Sequence, residues 1–259
     1  MDLGLKGKTA IVCASSRGLG KGCAMALAEA GCDIVVNGRN EETLNATAGE
    51  IRSATGASVT AVSADVSTAE GQKALLAACP EPDILINNNG GPPPRKFTEL
   101  GREEIIEGVI QNMITPIELL QASIGAMRQK GFGRIINITS LSVVMPIEGL
   151  DLSSGARAGL TSFLAGVCRE VAGDGVTINQ VLPGKMDTDR LRTTVRNASK
   201  ARGLSEEDFI AQQQAEIPAH RYGNAEEFGK VCAFLCSVHA GYITGQNIKV
   251  DGGLVPYAF

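Results

Sequence analysis

Histidines, tryptophans and long apolar runs are scarce in this sequence, and each scarcity excludes a class of protein. The 259 residues contain no tryptophan and only two histidines, His220 and His239. Neither histidine lies in a cluster of metal ligands, so no metal site is expected. No apolar run approaches the roughly 20 residues that a membrane helix needs. The first residues lead directly into a strand pattern without the features of a signal peptide, so we expect a cytoplasmic protein with no membrane partner.

Charge of one sign is not concentrated anywhere in the chain. The net charge is −4 at pH 7, and the 24 lysines and arginines are scattered. This distribution argues against nucleic acid as a partner. The seven cysteines are an odd number without paired spacing, so we expect reduced thiols rather than a disulfide framework. A small-molecule ligand is therefore the expected partner.

Short β-branched runs alternate with amphipathic stretches along the whole sequence. "TAIVCAS" and "DIVVNGR" are typical of strands, and "KGCAMALAEAG" between them is typical of a helix that closes at a glycine. About seven such strands predict an α/β fold, a Rossmann-type doubly wound parallel sheet with helices on both faces. We expect one domain over residues 1–259. The charged region of about 187–221 is predicted to form a helical lid, with two plain surface helices as the alternative.

The loop "CASSRGLGKG" joins the first predicted strand to the first predicted helix. Its glycines let the backbone approach a pyrophosphate, which then faces the positive end of the helix dipole. The position after strand one makes the motif more specific than its spacing alone, although a simple glycine turn is the alternative. The loop residues expected to bind a dinucleotide are Ser15, Ser16, Arg17, Gly18, Leu19 and Gly20.

The end of the second predicted strand indicates which dinucleotide is bound. A carboxylate there accepts the 2′-hydroxyl of NAD, but Val36, Asn37 and Gly38 provide none. Arg39 follows, and a guanidinium can hold a 2′-phosphate through two hydrogen bonds. We therefore expect NADP(H) in preference to NAD(H). The alternative is that Arg17 and Arg39 are solvated surface charges.

Taken together, these residues resemble the short-chain dehydrogenase/reductase family over nearly the whole chain. Ala14 stands where the family's glycine motif has its first glycine. The pattern resembles reductases of the 3-oxoacyl-[acyl-carrier-protein] type, in an atypical subgroup that lacks the Tyr-x-x-x-Lys motif. The resemblance implies a nicotinamide-dependent oxidoreductase that forms a homotetramer or homodimer. It also implies cofactor contacts at Asp65, Val66, Asn88, Asn89, Gly90, Pro183, Gly184, Met186 and Thr188.

Two of the four residues of the family's catalytic tetrad are present in this sequence. Asn112 and Ser140 match the asparagine and the serine, but Ser153 and Arg157 stand at the tyrosine and lysine positions. A phenol beside an ammonium is a usable acid for a developing alkoxide. A serine hydroxyl is far less acidic, and arginine stays protonated. Arg157 can still hydrogen-bond the nicotinamide ribose, as the family's lysine does, and stabilise an anion.

Several groups could supply the missing proton. Lys185 follows the predicted Pro-Gly turn, and burial could lower its pKa, with a surface lysine as the alternative. Glu148 and Asp151 precede the Ser153 position, where solvated loop charges are the alternative. A water held by Ser140, Ser153 and Arg157 is a further candidate.

Three hypotheses about function follow from this site. The first is an NADP(H)-dependent carbonyl reductase or alcohol dehydrogenase with a non-standard proton donor. The second is a non-redox lyase, dehydratase or hydrolase in which Arg157 binds an anion. The third is a non-catalytic NADP-binding protein. The substrate is not indicated, although an acidic group could be attracted by the lid's Arg190, Arg192, Arg196, Lys200 and Arg202.

Overall fold

One parallel sheet of seven strands organises the chain, in the order β3-β2-β1-β4-β5-β6-β7. The computed structural model describes residues 1–91 and 94–257. The strands are β1 Thr9–Val12, β2 Asp33–Gly38, β3 Val59–Ser63, β4 Ile84–Asn87, β5 Gly133–Ile138, β6 Val176–Pro183 and β7 Asn247–Val250. The helices within these ranges are α1 Gly18–Glu29, α2 Glu41–Thr55, α3 Ala69–Ala78, α4 Arg102–Val109, α5 Thr115–Lys130, α6 Asp151–Val171, α7 Asp189–Arg202, α8 Glu206–Ala215 and α9 Ala225–Cys236.

Helices cover both faces of the sheet, which explains why its central strands are buried and mostly apolar. Every residue of β4 and β5 is buried. The α1, α2 and α9 helices pack against one face, and α3, α5 and α6 pack against the other. A strand buried on both sides reads as a continuous apolar run rather than an alternation. The predicted α/β fold is therefore confirmed.

The strand order reverses between β1 and β4. From β1 the chain winds outward through β2 and β3, and from β4 it winds outward in the other direction. Diverging crossovers leave a crevice at the carboxyl ends of such strands, where α/β proteins bind their ligands. The loops after β1, β4 and β5 meet at this crevice.

Several local features lie between the strands and shape the region beside the crevice. The cap of α3 is Thr68, whose side chain accepts a hydrogen bond from the Gly71 N–H at 3.0 Å. A π-helical turn, Ile110–Ile114, joins α4 to α5. The region 187–221 forms α7 and α8, joined at Gly203. Of the residues that follow β4, Pro92 and Pro93 lie outside the described ranges.

The described residues contain neither a metal cluster nor a membrane-crossing helix. No group of three or more histidine, cysteine, aspartate or glutamate side chains within 1–91 and 94–257 is arranged to hold a metal ion. No helix in those ranges is both long enough and apolar enough to traverse a bilayer. All seven cysteines are buried free thiols.

The α1 and α9 helices touch through their backbones at two glycines. A Cβ atom placed on Gly22 would lie 2.1 Å from the Ala225 carbonyl oxygen, and one on Gly229 would lie 2.2 Å from the Gly22 oxygen. Both distances are far below van der Waals contact, so only glycine fits. The contact fixes α1, and with it the loop that precedes α1.

Gly22→Ala is expected to destabilise the protein by about 1–3 kcal/mol, the usual cost of overpacking a core. The added methyl group meets a backbone oxygen that cannot move without displacing α9. The control is Gly49→Ala in α2, where nothing lies within 4 Å of the added Cβ atom. This control should stabilise the protein by about 0.5–1 kcal/mol, since alanine favours helix. Urea unfolding of both variants measures the difference, and equal effects would contradict the packing argument.

Candidate active site

The loop between β1 and α1 is held by side chains from the neighbouring strands. The Ser15 hydroxyl donates to the Val12 carbonyl at 2.7 Å and accepts from the Asn37 N–H at 2.9 Å. The Asn88 amide donates to the Ala14 carbonyl at 3.1 Å, and the Ala14 N–H donates to Asn37 Oδ1 at 3.2 Å. Ser15 and Asn88, both predicted to bind the cofactor, thus shape the loop in this structure. Sequence reasoning did not assign Asn37 this anchoring role.

Ala14 adopts a backbone conformation that favours glycine. Its φ is 44°, in the left-handed region, where side chains other than glycine are strained. The family motif has glycine at this position, so the alanine found here introduces backbone strain. The loop tolerates the strain because Asn37 and Asn88 hold Ala14 from both sides.

The amino end of α1 is open to an anion. Arg17 caps the helix with an extended backbone but no side-chain hydrogen bond, and no acidic residue stands in the first turn. Gly18 has φ 59° and faces the Thr188 methyl group. A Cβ atom on Gly20 would lie 2.5 Å from the Ala14 oxygen, so the loop closes only over glycine. Uncapped N–H groups at a positive helix end fit a phosphate group.

The far end of the crevice carries Arg39. Its side chain is 77% exposed and lies 3.7 Å from the Asp65 carboxylate. The Asp65 carboxylate also accepts from the Ser67 hydroxyl at 2.6 Å. Partial burial raises the pKa of Asp65, but the hydrogen bonds from Ser67 and the charge of Arg39 outweigh it, so the net pKa is lowered. Val66 is buried beside them, and Ser16 packs against Gly38 at the end of β2.

Asn112 lies in the π-helical turn between α4 and α5. Its amide donates to the Gly108 carbonyl at 3.1 Å, and its Oδ1 atom has no partner among the described residues. π-Helical turns are frequent at functional sites, because they redirect a side chain from the helical ladder. This turn aims Asn112 into a small polar cavity.

The cavity beside Asn112 has the size of one water molecule. Its volume is about 20 Å³, and Arg157 also lines it. Three more buried atoms without a partner in the described ranges line it: Asn87 Oδ1, Thr115 Oγ1 and Asn137 Nδ2. A cavity of roughly 10–15 Å³ or more with two to four polar partners can hold a water. In the sequence, this cavity is indicated by the polar asparagines within the buried strands β4 and β5.

Ser140 follows β5 at the same edge of the sheet. It caps a short 3₁₀ turn, and its Oγ accepts a hydrogen bond from the Ser142 N–H at 3.1 Å. Since that bond uses the oxygen as an acceptor, the hydroxyl proton can be donated to a bound molecule.

Ser153 and Arg157 lie on one buried face of α6. The Arg157 guanidinium donates to Ser153 Oγ at 3.1 Å and to the Ile138 carbonyl at 2.6 Å. Ile138 ends β5 two residues before Ser140, so the arginine ties α6 to the strand that carries the serine. The structure thus brings Asn112, Ser140, Ser153 and Arg157 to one region.

Arg157 is a buried cation without a counter-ion among the described residues. It is 9% exposed, and no carboxylate in those ranges lies within ion-pair distance. Burial lowers the pKa of Arg157 to about 10, and the positive charge of Arg190 contributes in the same direction. The group therefore keeps its proton at neutral pH and cannot act as an acid there.

The other candidate proton donors are ion-paired or exposed. Lys185 Nζ is 2.7 Å from Glu216 Oε2, an ion pair between the end of β6 and the end of α8. Glu148 is an exposed loop residue, whereas Asp151 is exposed but begins α6, so its expected place in a loop is wrong. An acidic residue in the first turn suits the positive end of the helix dipole.

The remaining residues with predicted cofactor contacts lie after β4 and at or after the end of β6, apart from Leu19 in α1. Asn89 and Gly90 follow β4, and the Asn89 amide donates to the Gln111 carbonyl at 3.3 Å. The Gly184 N–H donates to Val250, while Met186 is buried and bridges to Gly223. Leu19, Pro183 and Thr188 complete the set.

A parallel sheet whose strand order reverses beside a glycine loop and an uncapped helix is typical of dinucleotide-binding α/β proteins. Comparison with known families shows which family of dinucleotide-binding proteins the chain belongs to. The model described as enoyl-(acyl carrier protein) reductase matches residues 13–255. The chain belongs to the short-chain dehydrogenase/reductase family of oxidoreductases.

Relatives and solved structures agree with this assignment over the full length. The NADPH-dependent reductase BacG of Bacillus subtilis is 32% identical, over 95% of this chain and 97% of the relative. The 3-oxoacyl-[acyl-carrier-protein] reductase FabG of Escherichia coli is 33% identical, over 97% and 99%. L-sorbose reductase of Gluconobacter frateurii, solved with NADPH and L-sorbose, superposes with a TM-score of 0.94 at 28% identity and full coverage of both chains.

Proposed function

We propose that this protein is an NADP(H)-dependent reductase of small carbonyl compounds, working also as an alcohol dehydrogenase in reverse, without a tyrosine proton donor. One observation carries the proposal. Ser140, whose hydroxyl proton is available for donation, lies two residues after Ile138, which the buried cation Arg157 contacts, at the edge of the sheet next to α1. Relatives named as NADPH-dependent and 3-oxoacyl reductases support it. When bound, NADPH supplies the hydride.

The cofactor contacts follow from the open groups of the crevice. The first turn of α1 binds the pyrophosphate through backbone N–H groups, with Thr188 facing Gly18 from the other side. Arg39 and Arg17 hold the 2′-phosphate, because Arg39 is exposed and no carboxylate stands in β2 after Asp33. Arg157 hydrogen-bonds the nicotinamide ribose.

The substrate oxygen is held and protonated by the chain's own groups. Ser140 donates a hydrogen bond to the carbonyl oxygen, and the Arg157 charge stabilises the negative charge that develops there. Ser140 passes its proton to the alkoxide and regains one from water. Asn112 orders that water in the cavity that Arg157 also lines. Arg157 itself stays protonated, because its pKa is about 10.

Asn112→Ala is expected to lower kcat by about 100-fold, the lower end of what general acid–base catalysis contributes. The KM for the carbonyl should change little, since Asn112 contacts water rather than substrate, and the solvent isotope effect on kcat should rise. Gln121→Ala, on the exposed face of α5, is the control. If Asn112→Ala keeps the wild-type kcat and isotope effect, the water at Asn112 takes no part in the mechanism.

Arg39→Glu is expected to reverse the cofactor preference. The KM for NADPH should rise by about 10–100-fold, because a charge-assisted hydrogen-bond pair is lost and a like charge faces the 2′-phosphate. NADH should become the better cofactor. Arg169→Gln, an exposed substitution at the far end of α6, serves as the control. If the ratio of kcat/KM for NADPH to kcat/KM for NADH stays unchanged, Arg39 does not bind the 2′-phosphate.

We also propose how the chain is arranged around this chemistry. It works as one domain, in which α7 and α8 form a lid hinged at Thr188, the residue that faces the α1 loop. Exposed apolar side chains on α4 and α6, namely Ile105, Ile106 and Phe163, suit a homotetramer or homodimer interface. The location is proposed to be cytoplasmic.

The test of this function is NADPH oxidation, followed by absorbance, with 3-oxoacyl thioesters, diketones, ketoses and aldehydes. Turnover above background with at least one class is expected. Tight NADPH binding without turnover by any carbonyl would contradict it. One observation, that Arg157 is buried without a counter-ion among the described residues, also suits a second candidate, a non-redox lyase or hydrolase acting on an anion. Product formation without cofactor oxidation would favour that candidate.

A further inference from the structure

We propose that the segment after β7, residues 251–257, holds the turn that carries Ser140, and that Tyr257 is a positioning residue for the reduction. This segment is named the strap. The proposal rests on the proposed reductase function and deepens it, because it adds to the site a residue that acts through Ser140 rather than on the substrate itself.

The first observation is a hydrogen bond between the strap and the Ser140 turn. The Tyr257 hydroxyl donates to the Val144 carbonyl oxygen. Val144 ends the 3₁₀ turn that Ser140 caps, and the Val144 N–H donates to the Leu141 carbonyl at 2.9 Å. Ser140 is bonded into the same turn, because its carbonyl accepts from the Val143 N–H at 3.1 Å. The phenol therefore fixes one end of the short turn whose other end carries the serine.

The second observation is an apolar cluster that the turn and the strap share. Its buried members are Leu141 from the turn, Leu182 from β6 and Val255 from the strap. Partly buried side chains pack against these three, namely Val143, Val144, Met145, Ile147 and Leu254. The cluster is separate from the two larger ones on the faces of the sheet. The strap therefore contributes directly to the packing of the segment that follows Ser140.

The third observation is that the strap is itself fixed at its start. The Asp251 carboxylate accepts hydrogen bonds from the Gly253 and Val255 N–H groups, each at 3.0 Å. The Gly252 carbonyl accepts from the Ala219 N–H at 3.0 Å, which ties the strap to the segment after α8. A segment held by these bonds can restrain the turn through Tyr257, whereas a freely moving one could not.

The position of Ser140 matters because its hydroxyl must meet the substrate oxygen at hydrogen-bond distance while negative charge develops there. A misplacement of about 1 Å can cost about 100-fold in rate. The hydroxyl is oriented by the Ser142 N–H at 3.1 Å, within the turn that the strap holds. Tyr257 is 41% exposed, so losing its hydroxyl is expected to loosen the turn rather than to unfold the protein.

Tyr257→Phe removes the hydroxyl and keeps the ring. The kcat for the best carbonyl substrate should fall by about 3–10-fold, the effect of one hydrogen bond of ordinary strength. The affinity for NADPH should stay within about twofold of wild type, because the turn positions the substrate oxygen. Tyr242→Phe is the matched control, since Tyr242 is fully exposed, and it should keep the wild-type kcat. An unchanged kcat in Tyr257→Phe overturns the proposal and leaves the reductase function intact.

A double-mutant cycle separates a residue that acts through Ser140 from one that only stabilises the fold. When Tyr257→Phe is added to Ser140→Ala, kcat should fall no further, because the hydroxyl that Tyr257 positions is already gone. Independent effects multiply instead. A further loss in the double variant, as large as that of Tyr257→Phe alone, therefore overturns the proposal.

Hydrogen exchange tests the strap without turnover. In the full chain with NADP⁺ present, Tyr257→Phe should raise the exchange rates of the Ser142, Val143 and Val144 amides by about 3–10-fold, because their hydrogen bonds open more often. Tyr242→Phe should leave these rates unchanged. Wild-type exchange in Tyr257→Phe overturns the proposal. If the wild type reduces no carbonyl, the reductase function fails, and the exchange rates alone decide whether the strap holds the turn.

Discussion

Ser140→Ala is expected to lower kcat by about 10²–10³-fold, the usual effect of removing one donor to a developing oxyanion. The Ser140 hydroxyl accepts from the Ser142 N–H and keeps its own proton for the substrate oxygen. Without it, neither the hydrogen bond nor the proton is available at that atom. The affinity for NADPH should stay within about twofold of wild type, because the side chain contacts substrate rather than cofactor. Stopped-flow NADPH oxidation and fluorescence titration measure the two quantities.

The matched control is Ser154→Ala. This hydroxyl is near the site in sequence, but it donates to the Leu150 carbonyl of its own helix at 2.8 Å. Its removal should leave kcat near the wild-type value. Full turnover in Ser140→Ala would show that another group holds the substrate oxygen, and the proposed mechanism would be wrong at its first step.

Arg157→Ala is expected to lower kcat/KM by about 10²–10³-fold, since hydrogen bonds to charged groups contribute about 1.5–3 kcal/mol each. The substitution removes the cation from the crevice and leaves the Ile138 carbonyl without its donor. Circular dichroism and urea unfolding show whether the loss reflects folding. Arg157→Lys should recover part of the activity, because it restores the charge but not the second hydrogen bond.

The pH profile separates a charge effect from a packing effect. Burial lowers the pKa of Arg157 to about 10, so activity that needs the cation is present below pH 10 and is lost as the pH rises through that value. A lysine starts from an ordinary pKa of about 10.4, and the same burial lowers it further. The alkaline limb of Arg157→Lys should therefore lie at lower pH than that of the wild type. Superimposable alkaline limbs would contradict the assignment of the charge to this residue.

Local patterns were sufficient to predict the sheet, because each strand and helix carries its own apolar periodicity. The positions of Asn112, Ser140, Ser153 and Arg157 could be predicted from family spacing, but their roles remain proposals. Ala14 was recognised as a departure from the motif, but its left-handed backbone became visible only in the structure.

Other features depend on side chains that are distant in sequence. Lys185 forms an ion pair with Glu216, which is 31 residues away. The sequence around the turn before Lys185 therefore could not predict this partner. The cavity at Asn112 is built from β4, β5 and α5 together. The approach of Arg190 to Arg157 depends on how α7 crosses the loop after β4, which no local pattern encodes.

The most direct test of the central claim is hydride transfer itself. NADPH deuterated at the transferable position is incubated with the best carbonyl substrate, and the product is analysed by mass spectrometry. A reductase predicts one deuterium on the new carbinol carbon for each NADP⁺ formed, with the transfer greatly slowed in Ser140→Ala. Product that forms without deuterium while NADPH remains reduced would contradict redox chemistry and make Arg157 the centre of a different reaction.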